Sequence, residues 1–203
     1  MGRKKIQENR SGLILEAASA LFDQFGYEKT TLDDIALRAG IGKGSVYLEF
    51  ANKEAILFAL ILENKRNQVA HMLKIAERTD KPALELLKIM LVQNVGMVFD
   101  SVQKNRRSPE EMAATREQVR TLLAPFFEAR LALVRALLER ARQQGEITLQ
   151  PDLYHTAQLI LLALRSVLPP YERADKRVKL QNQAAELLAL IFTGLKPNDR
   201  TCL

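Results

Sequence analysis

The chain has 203 residues, 47% of them apolar, which is enough to bury a core as one body or as a small and a larger domain. One cysteine (Cys202) and two histidines (His71, His155) exclude a disulfide framework and leave little material for metal or nucleophilic chemistry. The formal charge of +6 is not informative by itself: residues 1–52 hold seven Lys/Arg (Arg3, Lys4, Lys5, Arg10, Lys29, Arg38, Lys43) against seven Asp/Glu (Glu8, Glu16, Asp23, Glu28, Asp33, Asp34, Glu49), so any polyanion binding there rests on where charges point.

Nothing in the chain approaches the run of about 18 apolar residues that a bilayer span needs, and the N-terminus has no apolar run of a secretory signal. Met1-Gly2 is followed by Ile6 where a myristoylation signal wants Ser or Thr. A soluble, cytoplasmic protein without membrane contact is expected.

Arg3-Lys4-Lys5 reads as a basic arm ahead of the first helix, reaching phosphates or a minor groove, or as a solubilising tail. Ser11–Phe25 has the spacing of a scaffold helix with Ile14, Ala17, Ala18, Leu21 and Phe25 on its apolar face. Gly26 closes it. Tyr27 fills a small core, with a phosphate contact as the alternative. Thr31 and Asp34 then mark a helix start, Leu32, Ile35, Ala36 and Ala39 give it an apolar face, and Gly40 stops it. Ile41 plugs the turn, and Lys43–Phe50 restart a helix with Val46 and Phe50 inward and Lys43, Gly44, Ser45 and Tyr47 outside. Two short helices joined by a glycine-containing turn are a helix-turn-helix.

The second helix of such a pair enters the major groove of double-stranded DNA. Gly44 and Ser45 permit close approach to base edges, Lys43 reaches a guanine or a phosphate, and the Tyr47 hydroxyl reaches a phosphate. Lys53, opening the next helix, is placed for a phosphate oxygen. Thr30, Thr31, Gly42 and Leu48 complete the candidate DNA-binding set. Glu49 either accepts from cytosine N4 or stays solvated or paired within the chain.

Residues Arg10 to Leu62 resemble the DNA-binding domain of the TetR/AcrR family of bacterial repressors. The resemblance is carried by Ile14, Ala17, Ala18, Leu21 and Phe22, by Phe25-Gly26-Tyr27 and Thr30-Thr31, then by Ile35-Ala36, Ala39-Gly40, Lys43-Gly44-Ser45-Val46-Tyr47, Phe50, Lys53-Glu54 and Leu57. It departs at Leu48 and Glu49, where the family more often has aromatic or basic residues. The resemblance implies an all-helical dimer that binds a palindromic operator and is released by a small ligand.

Asn52 caps a long helix running past Met72 and Ile75 to about Arg78, a natural lever between two cores. Thr79–Pro82 breaks it. Pro82–Asn105 reads as a largely buried helix in which Gly96 marks tight packing or something close to the backbone. Ser108-Pro109-Glu110-Glu111 restarts the chain, Pro125 breaks or kinks the following helix, and Gly145 ends it. Pro151-Asp152 opens a helix to about Leu168, stopped by Pro169-Pro170, and a last helix spans Arg177–Leu195.

Leu159–Leu164 is apolar all round, and Ala184–Phe192 nearly so. Two such helices are buried on more than one side, so a homodimer joined by a four-helix bundle is expected, with Leu159, Ile160, Leu164, Ala184, Leu188 and Ile191 at the interface. The resemblance implies the same interface and places an effector pocket among the middle helices. Candidates for it are Met72, Met90, Met97, Met112, Phe126 and Phe127 as adaptable lining, with Gln93, Asn94, Arg116 and Arg165 as polar groups. Arg165 fixes an anionic effector, or makes an interface salt bridge, or is a solvated helix end.

Neither histidine has a partner at helical metal-site spacing, and Gly42-Lys43-Gly44 lacks the preceding strand of a nucleotide loop. No cofactor, metal or catalytic residue is expected. The expected organisation is all-α: residues 1–52 as a three-helix DNA-binding domain and residues 53–203 as a helical effector-binding and dimerisation domain. The expected function is a repressor released from its operator by a small hydrophobic effector. The alternative is an architectural or accessory DNA-binding protein of the same fold that works through protein contacts.

Overall fold

A computed structural model describes residues 2–104 (side chains 10–103), 115–148, 152–167 and 176–196. Among the described residues it forms eight helices and no strand: α1 (Gly2–Phe25), α2 (Leu32–Ala39), α3 (Lys43–Glu49), α4 (Lys53–Ala76), α5 (Ala83–Lys104), α6 (Arg116–Gln143), α7 (Leu153–Arg165) and α8 (Arg177–Leu195). The all-α expectation holds. The start of α1 differs, because the backbone is already helical at Gly2, so Arg3-Lys4-Lys5 belong to the helix and are not an arm before it.

The chain divides into two units, Met1–Lys65 with Ser101–Leu123, and Arg66–Asp100 with Ala124–Leu203. The first has its own core of Ile14, Ala17, Ala18, Leu21 and Phe22 from α1, Ile35 and Ala36 from α2, Val46 from α3, and Ile56, Leu57 and Leu60 from α4. Phe25, expected on the buried face of α1, is 52% exposed and Phe22 is buried instead. The helix ends at Phe25, and Phe22 packs edge-on against Tyr27 with ring centroids 5.2 Å apart.

Capping follows the sequence signals. Thr31 and Asp34 form a reciprocal capping box on α2, and Gly40 ends that helix at φ 68°, a left-handed conformation with little steric cost only for glycine. Asn52 Oδ1 accepts from the Ala55 N–H at 2.8 Å at the start of α4.

The second core draws on Met72 and Ile75 of α4, on α5 (Leu86, Leu87, Met90, Leu91), on α6 (Leu131, Val134, Leu138), on α7 (Ile160, Leu161, Leu164) and on α8 (Ala184, Leu188, Phe192). Gly96 of α5 is where α8 comes close: a Cβ there would stand 2.7 Å from Gln181 Nε2, whose amide donates to the Val92 carbonyl. Beside it, Arg177 of α8 pairs with Asp100 of α5 at 2.9 Å. Tight helix packing is therefore the role of this glycine. The expected break at Pro125 is absent, since α6 stays helical through it. The restart at Ser108-Pro109 and the stop at Pro169-Pro170 lie outside the described residues.

Candidate nucleic-acid interface

The short helix α3 starts after Gly42, whose extended backbone (φ −68°, ψ 145°) lets the Ser45 N–H reach the Gly42 carbonyl at 2.8 Å. Its single fully buried residue, Val46, anchors it to the first core, with Ile41 and Phe50 packed against that core at either end. That leaves the opposite side free. Lys43 and Gly44 are exposed, Tyr47 is 51% and Leu48 78% exposed, and Ser45 and Glu49 are partly exposed. A Cβ on Gly44 would meet nothing within 4 Å. The protein's own packing thus gives no reason for a glycine inside this helix.

Lys43 Nζ lies 2.7 Å from Asp33 Oδ1, an exposed pair between α3 and α2. The hydrogen bond to Asp33 raises the ammonium's pKa, so Lys43 is firmly cationic at the helix start. At the N-terminus of α2, the Asp34 carboxylate accepts from the Thr31 hydroxyl and N–H at 2.6 and 2.9 Å, which lowers its pKa and keeps it charged as a cap. Thr31 is exposed, with its hydroxyl already engaged in this box.

Two of the expected DNA contacts face inward. Thr30 is 2% exposed and its Oγ1 donates to the Gly26 carbonyl at 2.8 Å, closing the turn after α1. Lys53 Nζ donates to the carbonyls of Tyr27 (2.7 Å), Glu28 (3.3 Å) and Thr30 (2.9 Å) and sits 4.3 Å from the Tyr27 ring centroid. Carbonyls left over between α1 and α2 need donors, and this ammonium supplies them. Sequence reading missed that role because the partners lie 23 to 26 residues away. It also missed Leu37 of α2, which is 84% exposed.

The expected effector residues of the second unit differ in exposure. Met72 and Met90 are fully buried in the core, and Met97 is partly buried. Gln93 is exposed and its Oε1 lies 2.6 Å from His71 Nε2, a link between α4 and α5 on the surface. Asn94 is 5% exposed. Phe126 is partly buried, Phe127 is 38% exposed, and Arg165 is exposed at the end of α7. Arg116 is exposed and falls in the first unit, and Met112 lies outside the described residues.

The expected interface residues divide as well. Ile160, Leu164, Ala184 and Leu188 are turned into the chain's own core, at 0 to 6% exposed, whereas Leu159 is 50% exposed and Ile191 partly so. The exposed large apolar residues of α7 and α8 are Tyr154, Leu159, Leu162, Val178 and Leu190. A groove of about 520 Å³ lies between the end of α7 and α8, lined by Val167, Leu180, Leu187 and Leu190 with Lys179 and Glu186. No described helix is long and apolar enough to cross a membrane, and the described residues hold no cluster of three metal-ligating side chains.

A three-helix core that presents a short second helix with a small, polar and aromatic outer surface defines a helix-turn-helix DNA-binding regulator. Residues 14–60 match the family described as bacterial regulatory proteins, tetR family. Over 63 residues it is 43% identical to the uncharacterized HTH-type transcriptional regulator YhgD of Bacillus subtilis, a stretch that covers 30% of this chain and 33% of that one. It is 25% identical to the HTH-type transcriptional repressor BepR of Brucella suis over 97% of each chain. The crystal structure of a transcriptional regulator from Cytophaga hutchinsonii shares the fold, with a TM-score of 0.76 at 20% identity over 92% of this chain and 98% of that one. The relatives are transcription regulators and not enzymes, and DNA binding belongs to this chain's function.

Proposed function

We propose that the protein is a ligand-responsive, cytoplasmic transcriptional repressor that binds a palindromic operator as a homodimer and is released by a small hydrophobic effector. The observation that carries the DNA half of this reading is the free outer surface of α3. Lys43, Ser45, Tyr47 and Leu48 stand out around an unneeded glycine, on a helix held by Val46. Tyr47 and Lys43 meet phosphates, and Ser45 and Leu48 face base edges, where a leucine suits a thymine methyl. Repression is supported by the full-length likeness to BepR. Regulation by ligand is supported by α4, which places Ile56, Leu57 and Leu60 in the first core and Met72 and Ile75 in the second. An effector that prefers one position of α4 shifts the population of DNA-competent dimers.

The second reading, an architectural or accessory protein without a ligand, is favoured by Met72 and Met90, which are fully buried among core residues. Selection of bound sequences from a random DNA pool at fixed salt tests the first reading. A two-fold palindrome bound far tighter than random DNA is the expected result. Enrichment of a single, non-repeated half-site contradicts the dimer, and no enrichment contradicts sequence-specific regulation.

A further inference from the structure

Among the described residues, the buried side-chain nitrogens without a hydrogen-bond partner are Arg130 Nε and Arg140 Nε and Nη2, all on α6. Arg140 has a structural explanation. Its Nη1 donates at 3.0 Å to the carbonyl of Ala76, the last residue of α4, where a cation meets the negative end of a helix.

Arg130 Nε has no such partner among the described residues. Its guanidinium carbon lies 5.6 Å from the centroid of the Phe127 ring, and the other acids of α6 are engaged or exposed: Glu117 pairs with Arg120, Glu139 pairs with Arg142, and Glu128 is exposed. The charge it does feel has the same sign. Burial first, and then Arg165 at the end of α7, hold the Arg130 guanidinium below its ordinary pKa. Arg165 is itself exposed, with no ion pair to a described residue.

A buried, unsatisfied donor on one cation, with a second cation near it, is stabilised when an anion joins them. A guanidinium fork matches a carboxylate in two parallel hydrogen bonds. Phe126 and Phe127 lie four and three residues before Arg130, on the same side of the helix, and both keep apolar surface accessible. We infer that Arg130 and Arg165 form a recognition point for the carboxylate of an amphipathic ligand, whose apolar part lies along Phe126 and Phe127. This deepens the effector reading and rests on it for the regulatory consequence, so ligand binding and operator release are measured separately.

The test is calorimetry on the full chain with decanoate, decan-1-ol and inorganic phosphate. Decanoate is expected to bind at least about tenfold tighter than the alcohol, the increment a charge-assisted hydrogen bond supplies, and phosphate alone far more weakly. Arg130→Met, which removes the buried, unpartnered Nε, is expected to stay folded and to lose the preference for the acid. Arg165→Gln, on the surface, is expected to weaken decanoate with an unchanged melting curve. Equal affinity for acid and alcohol, or an undiminished preference in both variants, overturns the site. Phosphate binding as tightly as decanoate overturns the amphipathic ligand. Decanoate that binds through Arg130 without changing operator affinity upholds the site and removes the effector reading alone.

Discussion

A methyl group on Gly44 would find open space within the protein, while the glycine itself lowers helix propensity by up to about 1 kcal/mol relative to alanine. The chain's own packing does not require it, and the proposed approach of α3 to DNA does. Gly44→Ala is expected to raise stability in urea by about 0.5 kcal/mol and to weaken operator binding by about tenfold or more, the loss that one disturbed base contact brings. Operator affinity that is unchanged or rises with stability would place Gly44 away from the groove. Lys53 presents the opposite case. Its ammonium serves three carbonyls between α1 and α2, so Lys53→Met is expected to cost the first unit about 1.5–3 kcal/mol, as for a hydrogen-bonded charge. The salt dependence of DNA binding by the folded variant should stay the same. A slope smaller by about one, with stability intact, would return Lys53 to a phosphate.

At the scale of the helices, the start of α5 shows what local sequence leaves out. The N–H groups of Ala83 and Leu84 donate to Glu146 at 2.7 and 3.2 Å, and Gln144 Oε1 also accepts from Ala83 at 3.2 Å. A carboxylate more than sixty residues away thus does the work that Thr31 and Asp34 do locally for α2. Glu146→Ala is expected to cost about 1 kcal/mol in chemical denaturation, the usual worth of an N-cap. A cost near zero would show that Gln144 or water replaces it. The same contrast separates what could be read in advance from what could not. The start of α2, its end at Gly40 and the Asn52 cap of α4 were legible because donor and acceptor lie within four residues. The inward role of Lys53 was not, because its carbonyl partners lie 23 to 26 residues away and meet it only after α1, α2 and α4 have packed. At Pro125 the break did not occur: a proline removes one helical hydrogen bond, which the remaining bonds of a 28-residue helix can carry.

For the molecule as a whole, the informative feature is the outward face of α7 and α8. The run Leu159–Leu164 has no polar residue to fix its rotation, so its sequence tells that the helix is buried but not which side meets which neighbour. Ile160, Leu161 and Leu164 go to the chain's own core, while Leu159 and Leu162 remain 50% and 61% exposed, joined by Val178 at 65% and Leu190 at 75% on α8. Burying such a side chain completely is worth about 1.5–3 kcal/mol. A two-fold dimer that covers this face on both copies gains that contribution from each chain, which makes the face the proposed seat of dimerisation. Leu162→Glu is accordingly expected to give a folded monomer in sedimentation, with an unchanged helical circular dichroism signal and loss of palindrome binding. Ile160→Glu, two positions away and 1% exposed, places a charge in the core and is expected to unfold the second unit instead. The pair separates interface from core: a dimer that survives Leu162→Glu puts the contact elsewhere, and a folded, monomeric Ile160→Glu would mean that the face of α7 has been assigned the wrong way round.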